Sequence, residues 1–140
     1  MEKILYKDTK PFIPPITGGK VIKVYDGDTI TVASKLPYEN SEIYRFSVRI
    51  KGIDCPEIRT HNLEEKEIAL LAKNCVSELC LYKIVELKNL STEKYGRVLA
   101  DVYIENLNIS DELIKNKLAV PYDGGKKLVP SNWKMYYNKN

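Results

Sequence analysis

Short β-rich runs fill the first third of the chain and return after one long stretch of helical periodicity. Val21, Ile22, Val24 and Tyr25 lead into Asp26-Gly27, and Thr29, Ile30, Thr31 and Val32 follow. Two β-branched runs across a Gly-containing tight turn predict a hairpin. Lys35 to Glu42 is polar and carries Pro37, so a loop is expected there. Beyond it Phe46, Val48 and Ile50 alternate with Ser47, Arg49 and Lys51, a strand with one apolar face from which Arg49 points away. Pro56 closes that strand.

Leu63 to Leu81 then places Ile68, Leu71, Ala72, Cys75, Val76 and Leu79 at helical spacing, one face of a helix packed on the sheet. Lys83 to Leu87 and Arg97 to Ile104 are two further strands joined by a polar turn. Val98, Ala100, Val102 and Ile104 share one face, opposite Arg97 and Asp101. A second helix is expected from the Asn108 cap, with acidic Asp111 at its third residue, through Leu113, Ile114 and Leu118 to Pro121. Three strands in succession without a helical crossover favour an OB-type barrel over a parallel βαβ sheet. The expected class is α+β, mainly β: a five-stranded barrel with two or three flanking helices. Residues 1–19, with Pro11, Pro14, Pro15, Gly18 and Gly19, read as an extended arm, 20–122 as the domain and 123–140 as a tail.

Composition narrows the setting. The chain has 140 residues, 44% hydrophobic and 29% charged, the balance of one globular domain. No apolar run nears the ~18 residues that span a bilayer, and Met1 to Lys10 lacks a signal-peptide core. A soluble, intracellular monomer without membrane contact is therefore expected. Cys55, Cys75 and Cys80 are odd in number and lack CxxC spacing, which argues for free thiols over disulfides or zinc. A net charge of +3 is compatible with a polyanionic partner but does not require one.

Candidate chemistry lies at strand ends and turns. Asp28, Asp54 and Glu57 are carboxylates without histidine or thiolate companions, the donor type for Ca²⁺ and, less specifically, Mg²⁺ or Mn²⁺. Singly, each reads as an ordinary turn or loop residue. Arg49 and Arg97 singly read as surface ion pairs, although a guanidinium grips phosphate oxygens bidentately. Together, a hard-metal carboxylate cluster and two arginines on one barrel supply what attack at phosphorus needs. The lone His61 reads as a solvated loop residue.

Val24-Tyr25-Asp26-Gly27-Asp28-Thr29, Arg49 followed by Asp54-Cys55-Pro56-Glu57, and Lys94-Tyr95-Gly96-Arg97 resemble, in order and spacing, three motifs of the staphylococcal nuclease family across roughly 20–122. The resemblance implies that Asp28, Asp54 and the Cys55 backbone carbonyl hold Ca²⁺, and that Arg49 and Arg97 clamp the phosphate. It makes Glu57 the candidate general base, and Lys94, Tyr95 and Tyr122 contacts to the nucleotide. It further implies metal-dependent cleavage of DNA and RNA with little sequence preference. Cys55 replaces a threonine common in the family, a change to which a backbone ligand is indifferent. Lys35 to Glu42 is longer than in secreted bacterial members, and no long C-terminal helix is evident after Tyr122. Competing readings are an inactive nuclease-like module that binds nucleic acid or protein, and a plain OB-fold single-strand binder needing no metal.

Overall fold

A computed structural model describes residues 2–125 and 128–139. Its first hairpin pairs β1 (Gly18–Asp26) with β2 (Thr29–Lys35), and β3 (Ile43–Ile50) continues antiparallel to β2. After the short β4 (Ile53–Asp54) comes α1 (Leu63–Cys80), then β5 (Ile84–Thr92) and β6 (Val98–Ile104), an antiparallel pair. β5 also pairs with β1, and β6 runs parallel to β3, with Val48 opposite Val98 and Arg49 opposite Leu99. The order β3-β2-β1-β5-β6 thus closes on itself as a five-stranded mixed barrel, which leaves these strands no free edge. β7 (Leu107–Asn108), α2 (Ile109–Lys115), β8 (Val120–Pro121) and α3 (Trp133–Asn138) complete the fold.

Alternation fills the barrel. Val21, Ile30, Val32, Val48, Ile50, Ala100 and Val102 are fully buried, the inward positions that period-2 patterning predicts. The hairpin turn differs from expectation in register: Asp26 pairs with Thr29, so its two central residues are Gly27 and Asp28. Gly27 serves close packing, because a Cβ there would lie 2.8 Å from both the Ala72 Cβ and the Cys55 Sγ.

In α1 the Asn62 side chain accepts from the backbone N–H groups of Glu64 and Glu65, an N-cap. Its buried stripe is Ile68, Ala69, Ala72, Val76 and Cys80, while Leu71 is 37% exposed and Cys75 half-buried. Of the six-residue face expected, Ile68, Ala72 and Val76 are buried, Cys75 and Leu79 are partly buried against the core, and only Leu71 turns outward. The Asn108 side chain caps α2 as expected, but the helix stops well before Pro121. Lys117 adopts φ 60°, and Leu118 and Lys117 donate back to Leu113 and Ile114, a Schellman termination that turns Leu118 into the core.

Both flanks touch the barrel. Pro14 and Ile16 are buried, and Leu87 donates to the Thr17 carbonyl. At the other end α3 packs on α1 and buries Trp133. Among the described residues no helix is long and apolar enough to cross a membrane.

Candidate functional site

A cleft of about 540 Å³ opens where the β1–β2 turn, the end of β3 and the β4 loop meet, lined among others by Asp26, Asp28, Arg49, Asp54, Glu57 and Arg97. The turn presents Asp28, and β4, pinned by its pairing with β8, presents Asp54. Both are nearly inaccessible, at 8% and 6% exposed.

Buried carboxylates need partners, and these have them. Asp28 Oδ2 accepts from the Cys55 N–H at 3.1 Å, and Asp28 Oδ1 accepts from the Thr29 hydroxyl at 3.2 Å. Arg49 Nη2 stands 3.5 Å from Asp28 and 3.6 Å from Asp54, while its Nη1 donates to the Ile50 carbonyl at 2.8 Å. Arg49 does leave the core face, as its alternation predicts, but it enters the cleft and is only 11% exposed. The surface ion pair that the isolated residue suggested is thereby replaced by a buried bridge between two acids.

Arg97 reaches the same cleft from β6. Its Nη1 donates to the Thr29 hydroxyl at 3.2 Å, and its Nε and Nη2 fork onto the Glu93 carboxylate. Gly96, at φ 84°, makes the turn that brings Glu93 alongside Arg97. Glu93 keeps the guanidinium firmly protonated. Thr29 therefore links the two arginine systems: it donates to Asp28 and accepts from Arg97.

Asp26, which the sequence marks as a turn residue and part of the first motif, also lines the cleft. Its Oδ1 accepts from the Asp28 N–H at 3.1 Å. Burial first, then the Asp28 charge beside it, pushes its carboxyl up to about 7. Its place two residues before Asp28 in a tight turn was the available signal. Glu93, four residues before Arg97, was missed in the same way.

Glu57 lines the cleft with its side chain exposed, its backbone N–H held by Glu65 at 2.9 Å. Cys55 is 4% exposed and its thiol is pushed well above its ordinary value, by burial and then by Asp28. The buried thiol is thus held protonated. Burial also raises the Cys80 thiol, to about 11. Lys94, Tyr95 and Tyr122 come together elsewhere, around a second cavity of about 800 Å³ that shares Arg49 as a wall.

The donor chemistry fits a hard divalent cation: Asp28 and Asp54 offer oxygen donors, and Arg49 offsets only one of their two charges. Among the described residues no three acidic, histidine or cysteine side chains form a preassembled metal cage. Arg49 occupies the space between Asp28 and Asp54 that such a cage would need.

Residues 47–137 match the family described as "Staphylococcal nuclease homologue". The chain is similar to an "Uncharacterized endonuclease" of Haemophilus influenzae, 33% identical over 74% of this chain and 51% of that protein. It is similar as well to a "Probable endonuclease" of Schizosaccharomyces pombe, 30% identical over 64% and 43% of the respective chains. A "Probable staphylococcal-like nuclease" of Oryza sativa subsp. japonica is 29% identical over 51% of this chain and 18% of its own. The chain spans about half the length of the first two of these relatives. The match covers more than half of the chain and includes Arg49, Asp54, Glu57 and Arg97, so the chain belongs to the staphylococcal nuclease family.

Proposed function

We propose that this chain is a divalent-cation-dependent nuclease that hydrolyses phosphodiester bonds of DNA or RNA with little sequence preference. The observation that carries the reading is the Arg49 guanidinium bridging two buried carboxylates, Asp28 and Asp54, beside Arg97. Family membership and the endonuclease names of its relatives support it.

Asp28, Asp54 and the Cys55 carbonyl would hold the cation, with Ca²⁺ the best match to all-oxygen donors and Mg²⁺ or Mn²⁺ as alternatives. When bound, the cation supplies Lewis-acid polarisation of the scissile phosphate. Arg49 and Arg97 donate to the phosphoryl oxygens, on which charge builds as water adds to phosphorus. Arg97 is preorganised for this by Glu93. Glu57, free of ion pairs among the described residues, orients the water and takes its proton as one P–O bond forms and another breaks. Lys94, Tyr95 and Tyr122 bind the neighbouring nucleotide in the second cavity.

The test is incubation with single-stranded DNA and with RNA in Ca²⁺, in Mg²⁺ and in chelator, beside Glu57→Gln. Cleavage that requires metal and falls at least about a hundredfold in the variant is expected. Intact substrate in every metal, with retained binding, would make the domain a binding module instead.

A further inference from the structure

The cleft does not end at Arg97. The barrel register sets Lys23 of β1 opposite Thr31 of β2, and Thr31 opposite Ser47 of β3. This row lies two residues along the strands from the Thr29 and Arg49 pair that faces the cleft. A depression of about 260 Å³ covers it, with Arg97 as a wall. Past Arg97, a groove of about 450 Å³ runs between the N-terminal arm, which contributes Phe12 and Pro14, and Arg45, Phe46 and Tyr95. Arg97 lines the cleft, the depression and the groove alike, so the three form one path across the barrel.

The chemistry of this path differs from that of the surface at large. The chain carries 19 acidic residues against 22 basic ones, yet among the described residues no acidic one lines the depression or the groove. Lys23 and Arg45 are exposed and make no ion pair among the described residues. Phe12 is 71% exposed and Tyr95 79%, two aromatic rings lining the groove with Arg45, and Lys94 Nζ stands 5.7 Å from the Tyr95 ring centroid. Cations spaced along a groove and interleaved with open aromatic rings suit a single strand, whose unpaired bases stack while its phosphates meet the charges. A duplex keeps its base faces covered and gains nothing from the rings.

We propose that this path binds the single-stranded nucleic acid flanking the scissile phosphate, with Phe12 of the arm stacking on a base and Arg45 and Lys23 contacting phosphates. The inference rests on the nuclease reading for the identity of the polymer. It adds an extended substrate track for which the arm supplies a wall.

The full chain in chelator allows binding to be read without cleavage, by fluorescence anisotropy with an oligothymidylate of about ten nucleotides and with a thymidine dinucleotide. The combined Phe12→Ala and Arg45→Ala variant should bind the longer strand about tenfold more weakly and the dinucleotide unchanged. Arg45→Ala alone should lower the slope of log affinity against log salt by about 0.7, whereas Phe12→Ala alone leaves the slope intact. Phe12→Tyr, which keeps the ring, should retain wild-type affinity. Wild-type affinity of the combined variant for the longer strand overturns the track, and continued cleavage on adding metal would then leave the nuclease reading standing. Weakened binding by the variant, with no cleavage by the wild type in any metal, supports the track and sinks the catalytic reading. Failure of the wild type to bind the longer strand overturns the track.

Discussion

Arg49 has two incompatible duties: it neutralises Asp28 and Asp54, and the proposed chemistry asks it to grip a phosphate. A cation between the two acids would release it, since both compete for the same oxygens. Arg49→Ala should therefore lower turnover at saturating metal by about 10²–10³ without weakening metal binding, measured by calorimetry. Weaker metal binding in the variant would show that Arg49 builds the carboxylate site instead of competing for it. Asp26 makes a separate prediction. Its native carboxyl keeps a proton up to about pH 7, against an ordinary value of 3.8. Between these values the native state binds more protons than the unfolded chain, so this group erodes stability as pH rises. Asp26→Asn should remove that loss. Discounted for solvent screening, the gain in chelator is about 1–2 kcal/mol at pH 8 and smaller at pH 5. Urea titrations at the two pH values decide it; an equal effect at both would refute the coupling.

At the scale of elements, the β1–β2 turn is the part on which the site depends most. Gly27 has no room for a methyl group, because a Cβ there would lie only 2.8 Å from the Ala72 Cβ of α1 and the Cys55 Sγ of the β4 loop. Gly27→Ala should cost about 1–3 kcal/mol through overpacking and should lower activity further by displacing Asp28. A variant with unchanged urea midpoint would mean that α1 can move aside. The Asp-Gly pair announced a turn in the sequence, but a tight turn can require glycine for φ or for contact. Only the packing of α1 on β1 reveals the second reason. Likewise the exposure of Leu71 could not be read from periodicity, because it satisfies the helical spacing yet is 37% exposed.

For the molecule as a whole, the residues after Tyr122 matter more than their composition suggests. Trp133 is 5% exposed, joins the main core and meets Tyr136 edge-on at 5.9 Å. Trp133→Ala should destabilise the fold by about 3–5 kcal/mol, read as a lowered urea midpoint with an unchanged slope. Loss below about 1 kcal/mol would make α3 an independent appendage. β8 acts at the same scale. By pairing with β4 it ties the segment around Val120 and Pro121 to Asp54, and the Tyr122 N–H donates to Gly52 at 2.9 Å. The floor of the carboxylate site is thus connected to the second cavity.

Alternation and turn chemistry are local properties, so the sequence alone determined that the five barrel strands would form, where α1 and α2 would begin and which barrel-strand residues would face the core. Val48 and Ile50 could be assigned inward, and Arg49 away from them, from period two alone. The motifs around Asp28, Asp54 and Arg97 carried the family resemblance for the same reason, because each lies within a few consecutive residues. Tertiary structure decided what those groups do to one another. Asp28 and Cys55 are 27 positions apart and Thr29 and Arg97 are 68, yet each pair is hydrogen bonded. Whether Arg49 is a solvated surface charge or a buried bridge depends on the closure of β3 onto β6 and on the β4–β8 pairing. The elevation of Asp26 likewise needs neighbours and burial that no single strand contains. Electrostatics acts through space, and at this site the barrel's closure sets the distances.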